Sequence, residues 1–132
     1  MRSDVEIKDD IYRYIKGTRL ETVVTGQLLK TKRPKNSIKE DIVISVLANE
    51  GNQYQEAVVN VNIYVEDNII DGQPEEDTIR CRELGNVAKS VLETFRVDGA
   101  RVTLSRPPRV LDAEDIPWHI VNCRLNYQLI NE

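Results

Sequence analysis

Residues 57–67, AVVNVNIYVED, put Val59, Val61, Ile63 and Val65 on one face of a period-two strand and Asn60, Asn62, Tyr64 and Glu66 on the other. No helix keeps those four branched side chains together, so the segment predicts a strand with one buried face and one polar face. Asparagine is a poor strand former, and the polar face therefore has to tolerate it or use it. The end of the chain repeats the pattern: in IVNCRLNYQLI, Val121, Cys123, Leu125, Tyr127 and Leu129 alternate with Asn122, Arg124, Asn126 and Gln128. Together, the faces at 60–64 and 122–128 predict one continuous polar surface on the side of a sheet away from its covering helices. Two readings stay open. It is a solvated back face, usual for antiparallel sheets, or it is a subunit contact surface or the lining of a ring, which amides suit because they donate and accept without adding charge.

Around these strands the other elements follow from periodicity and punctuation. Ser3 and Glu6 form a capping-box pair before Ile7, Ile11, Tyr14 and Ile15 at helical spacing, with Gly17 as the stop. LETVVTGQLLKT (20–31) has the β-branched content of a strand, with Gly26 marking a bulge or bend. DIVISVLA (41–48) predicts a strand with Ile42, Ile44, Val46 and Ala48 on one face, returning through a polar hairpin tip, NEGNQYQE, into the asparagine strand. In TIRCRELGNVAKSVLETF (78–95), Leu84, Val87, Ala88, Val91, Leu92 and Phe95 recur at three and four, the clearest helix in the chain. VDGARVTLS reads as a turn at Asp98 and Gly99 and a short strand with Val102 and Leu104 inward. RPPRVLDAEDIPWH reads as a long loop, because its prolines lack the amide a central ladder needs. The expected architecture is α+β, a two-layer sandwich of a mostly antiparallel sheet with two helices packed on one face.

A length of 132 residues predicts one domain, 1–132, large enough to fold without staples. No apolar run reaches membrane-spanning length and MRSDVEIKDD is too polar for a signal peptide, which predicts a cytoplasmic protein with no membrane partner. Cys81 and Cys123, without ligand spacing, read as reduced thiols, with Cys123 buried. The formal net charge of −4 argues against a chain that is mainly a nucleic-acid binder, but the charge is segregated. Residues 30–39 carry Lys30, Lys32, Arg33, Lys35 and Lys39 with no acid, whereas 66–77 carry Glu66, Asp67, Asp71, Glu75, Glu76 and Asp77 with no base. The basic segment, a loop or arm at 30–40, has three readings: a solvated loop, a contact for the acidic segment of another copy, or a salt-sensitive and sequence-blind phosphate contact.

Catalytic signatures are absent from the sequence, which predicts no enzyme, no cofactor and no metal. The single histidine, His119, lies near Asp112, Glu114 and Asp115, but the spacing matches no metal motif. Ser45, Ser90 and Ser105 lack a nucleophile-elbow context. Glu75 and Glu76 are explained as negative charge at a helix N-terminus. Trp118 is either a core anchor for the last strand or an interface residue. A pocket lined by Trp118, Tyr127 and residues 105–117 would instead mark a small-ligand-binding domain.

The N-terminal helix, EDIVISVLAN, VNVNIYVED, LGNVAKSVLETF and WHIVNCRLNYQLI together resemble, in order, length and strand character, the tail-terminator or tail-completion proteins of long-tailed phages and prophages. That resemblance implies a small α+β protein acting structurally. Copies assemble as a ring, typically of six, on the head-proximal end of the tail tube, stop its polymerisation and present a surface to the head connector. The implied partners are the chain itself, the major tail tube protein and the head–tail connector protein, with non-specific DNA contact in the lumen. The implied location is the host cytoplasm during assembly and then the virion tail. A head-closure or connector-adaptor protein is the alternative. The family has no active-site residues to carry over. Its compact members have a shorter region than 20–40 here, which suggests an arm reaching a neighbour. The interface candidates are Lys30, Lys32, Arg33, Lys35, Asp71, Glu75, Glu76, Asn60, Asn62, Asn122 and Asn126.

Overall fold

The computed structural model describes residues 1–51 and 53–130, so Asn52 at the expected hairpin tip lies outside the described residues. Helix α1 (Asp4–Ile15) begins at the expected capping box: the Ser3 hydroxyl accepts from the Glu6 N–H (3.2 Å) and the Glu6 carboxylate accepts from the Ser3 N–H (2.9 Å). Ile7, Ile11 and Ile15 are fully buried, and Gly17, at φ 83°, turns the chain out of the helix.

A second helix, α2 (Arg19–Val23), occupies much of the segment expected to be a strand; only β1 (Leu28–Leu29) pairs, parallel to the next strand. The reason is burial: in the helical turn Leu20 and Val24 both reach the core, which outweighs the β preference of Thr22 and Val23. Gly26 lies in a bend, the second of the two expectations, and is also a site of close approach. A Cβ there would stand 2.3 Å from Asp41 Oδ1 and 2.5 Å from the Glu40 carbonyl oxygen, to which the Gly26 N–H donates at 2.9 Å.

Strand β2 (Ile42–Gly51) and strand β3 (Tyr54–Glu66) form the expected antiparallel hairpin, with Ile42 opposite Ile63. The register shifts between Val46 and Ala48. This bulge at Leu47 corrects the alternation read for β2: Ala48 turns outward and Asn49 turns inward opposite Ala57. There Asn49 accepts from the fully buried Gln55 amide (2.7 Å), whose Oε1 accepts from the Arg2 N–H (2.8 Å). The turn end of the hairpin is thereby tied to the N-terminal residues.

The acidic segment contains a hairpin, not a plain loop. Strands β4 (Asn68–Ile70) and β5 (Gln73–Glu75) pair across Asp71 and Gly72, both at positive φ, as a two-residue hairpin turn needs. Helix α3 (Thr78–Leu92) follows, capped by the Asp77 carboxylate accepting from the Arg80 N–H at 3.0 Å. Phe95, expected to end this helix, lies in β6 (Thr94–Val97), which pairs with β7 (Ala100–Leu104) across the Asp98–Gly99 turn. The residues read as a long loop contain β8 (Arg109–Asp112). Strand β9 (Trp118–Ile130) then pairs with β3 along its whole length and with β7 and β8 on its other edge.

The main sheet runs β1-β2-β3-β9-β7-β6, with β8 also on β9, and is antiparallel except at β1. Both α1 and α3 lie on one face over Val59, Val61, Ile63, Cys123, Leu125 and Tyr127, and the Tyr14 ring stacks on Phe95 at 3.7 Å. This is the expected two-layer α+β architecture. One polar cluster sits inside it: Asp10, 4% exposed, accepts from the Tyr127 hydroxyl (2.6 Å) and from Arg2 (2.8 Å), and is also paired with Arg13. Burial chiefly, then the Asp10 hydrogen bond, push the Tyr127 hydroxyl well above its ordinary pKa.

Candidate functional site

The asparagine faces meet. Because β3 and β9 pair antiparallel with Asn62 directly opposite Asn122 and Asn60 opposite Arg124, the two amide rows form one surface on the side away from the helices. At its centre the amides bond to each other. Asn122 Nδ2 donates to Asn62 Oδ1 (2.7 Å) and, more weakly, to Asn60 Oδ1 (3.3 Å), while Asn122 Oδ1 accepts from Arg106 Nη2 (3.0 Å). Asn122 is only 5% exposed, and the Arg106 side chain, from the connection between β7 and β8, reaches it. Asn126, four residues on along the same face, is open to solvent. So the face is neither uniformly wet nor uniformly a contact surface: its centre is knit internally and its rim is free.

The basic segment folds back on the same face. Arg33 lies with its Cζ 3.9 Å over the Trp118 ring and 4.7 Å over the Tyr64 ring, its Nε donates to Asp41 (3.1 Å), and its Nη2 donates to the Lys39 carbonyl (2.8 Å). Burial alone would raise the Asp41 carboxyl, but hydrogen bonds from Ser37, the Gln27 N–H and Arg33 outweigh it and hold it below the usual carboxylate range. Lys30 pairs with Asp9 (2.9 Å) beside the Tyr12 ring. At the end of the loop, Arg80 grips Glu40 through two contacts of 2.7 Å, fastening it to α3. A free arm at 30–40 is therefore corrected to a pinned loop, in which Lys30 and Arg33 are committed within the chain. Lys32, Lys35 and Lys39 stay exposed and make no ion pair with any described residue, and Ile38 between them is 80% exposed.

Trp118 is buried, but not among the helix-side core residues: it sits on the outer face beneath Arg33. Tyr127 points to the opposite face near the other end of β9, so the pocket that would join the two does not form.

On the acidic side, Asp67 and Asp77 are committed, to His119 and to the α3 cap, whereas Asp71, Glu75 and Glu76 make no ion pair with a described residue. Ile69 and Ile70 on the hairpin and Ile79 on the first turn of α3 are exposed beside them. His119 does not meet Asp115. Its Nδ1 lies 2.5 Å from Asp67 Oδ1 and its Nε2 2.7 Å from Asp112 Oδ1, so it clamps the start of the acidic hairpin to β8. Burial would lower its pKa, but the Asp67 hydrogen bond and the charges of Asp67, Asp112 and Glu76 outweigh that and raise it. With a carboxylate at each nitrogen, the protonated ring is favoured. Cys81 and Cys123 are free and buried, which pushes their thiols up to about 11 and about 12. Among the described residues no group of three or more His, Cys, Asp or Glu stands where it could hold a metal ion.

One set of residues was not singled out from the sequence. The outward positions of β6, β7, β8 and β9 hold Arg96, Arg101, Arg109 and Arg124, and Arg106 sits in the connection between β7 and β8. Strand parity locates them, but Arg96 and Arg109 lie in strands that periodicity does not reveal. Compared with known family models and with curated proteins, the chain matches none.

Proposed function

We propose that this chain is a structural protein that closes into a ring of its own copies, of the tail-terminator kind that caps a phage tail tube, stops its growth and presents a surface to the head connector. One observation carries the reading. The chain bears two projections of opposite sign, each with uncommitted charge beside exposed apolar side chains: Lys32, Lys35 and Lys39 around Ile38, and Asp71, Glu75 and Glu76 beside Ile69, Ile70 and Ile79. Exposed branched side chains cost solubility unless covered, and opposed charge orients the surface that covers them. Two different patches in contact make a heterologous interface, which yields a ring when the rotation per subunit closes. The two-layer α+β architecture is the one such a protein is expected to have.

The test uses only the uncommitted residues. Lys32→Glu with Lys35→Glu is expected to weaken self-association, and adding Glu75→Lys with Glu76→Lys in the same chain restores it; sedimentation velocity reads both. Arg33 is left alone, since its loss would unfold the loop and confuse the result. An unchanged mass distribution in the Lys32/Lys35 variant sinks the interface.

A further inference from the structure

The geometry points to a second surface with a different partner: the outward arginines of β6–β9 form a binding face for the phosphate backbone of a nucleic acid. Every charged side chain at an outward position of these four strands is an arginine: Arg96 and Arg101, opposite each other on β6 and β7; Arg124 on β9; and Arg109 on β8, opposite Asn122. Arg96, Arg101 and Arg109 are exposed and Arg124 is half-exposed. None of the four, nor Arg106 behind them, makes an ion pair with a described residue, although ten other charged contacts form among the described residues. Arg106 donates to Asn122 at 3.0 Å while its Nε is buried without a partner. On a chain of net charge −4, an unpaired all-arginine face is a local inversion of sign.

The chemistry favours phosphate. Guanidinium forks match phosphate oxygens in pairs. The side chains between them, Thr103, Ser105, Asn126 and Gln128, are neutral donors of the kind that position a backbone without reading sequence. The nearest outward acid, Glu56 on β3, stands opposite Gln128 in the same cross-sheet row as Arg101 and Arg96 and bounds the arginine band on its β3 side without pairing with either.

Size separates this from a protein partner of the same sign. From the Arg101–Gln128 pair to the Arg109–Asn122 pair is six residues of β9, or about 20 Å at ~3.3 Å per residue. The acidic hairpin of a second copy offers two strands of three residues, about 10 Å long and ~5 Å across. It would cover half the band at most, whereas an extended polyanion covers all of it.

The inference does not depend on the ring: a monomer that binds nucleic acid would leave it standing while removing the proposed assembly. The test is fluorescence anisotropy with a random-sequence DNA duplex and a single-stranded oligonucleotide across a salt series. On the duplex, four phosphate contacts predict a slope of log Kobs on log salt of about −3.6, which is roughly 150-fold in affinity between about 50 and about 200 mM salt, and on the single strand about −2.8. The variant Arg101→Gln, Arg109→Gln, Arg124→Gln should flatten the duplex slope to about −0.9. Its circular dichroism and melting curve should match the parent's, since these side chains make no ion pairs to lose. Three results overturn the proposal: no binding to either oligonucleotide at low salt; binding whose slope the triple variant leaves unchanged; or a triple variant that loses self-association and no nucleic-acid affinity, which would assign the face to contact between copies.

Discussion

Replacing Asn122 by alanine tests whether the central amides hold the sheet face together. The wild-type side chain donates to Asn62 at 2.7 Å and accepts from Arg106 at 3.0 Å, in a site where Asn122 is 5% exposed. A neutral amide pair contributes about 1 kcal/mol net and a hydrogen bond from a charged donor about 1.5–3 kcal/mol. Both partners are left without replacement, and the Arg106 Nε already lacks one. The expected loss is therefore about 2–4 kcal/mol. With an unfolding entropy of about 2.1 cal/mol/K per residue over 132 residues, that lowers Tm by about 7–14 °C. The control is Asn126→Ala on the same face but open to solvent, expected within about 0.5 kcal/mol of the parent. Urea unfolding monitored by circular dichroism gives both numbers. Equal costs at 122 and 126, or no cost at 122, would refute the internal ladder and return the asparagines to a purely intermolecular role.

Two further outcomes follow from the loop and the clamp. Arg33→Ala should uncover the only tryptophan, Trp118, and shift its fluorescence to longer wavelength, and Arg33→Lys should not restore it, because an ammonium lacks the planar stack; unchanged emission in the alanine variant would contradict the strap. The raised pKa of His119 makes its contribution to stability fully present below the ordinary imidazole value, near 6.5, and lost as pH rises through the folded value. Urea midpoints measured against pH should therefore fall over that interval in the parent and not in His119→Gln, and a variant with the parent's pH dependence would place the titrating group elsewhere.

Where burial was one-sided, the sequence was legible. The strands β3 and β9 and the helices α1 and α3 each bury one face against a single core, so period two and period 3.6 are written into Val59 to Val65, Val121 to Tyr127, Ile7 to Ile15 and Leu84 to Leu92. Elements that bury little left no period. Strands β4, β5 and β8 are exposed along their length, and the proline in β5 argues locally against a strand. Phe95 continued the spacing of Val91 and Leu92, so β6 looked like the end of α3. At Leu47 a single extra residue reversed the alternation, which no local composition announces.

The candidate site divides along the same line. That two amide rows exist was readable; that Asn122 pairs with Asn62 required the register. Charge segregation was readable too, but which charges are already neutralised was not, because Arg33 meets Asp41, Tyr64 and Trp118 only after β2, β3 and β9 assemble. The arginine face needed the parity of four strands, two of them invisible to periodicity.

Native mass across a wide concentration range, with negative-stain images of the largest species, tests the central proposal most directly. Closed rings of defined copy number that dissociate as salt rises and are lost on Lys32→Glu with Lys35→Glu are the predicted result. A monomer at every concentration, with or without those substitutions, would contradict it.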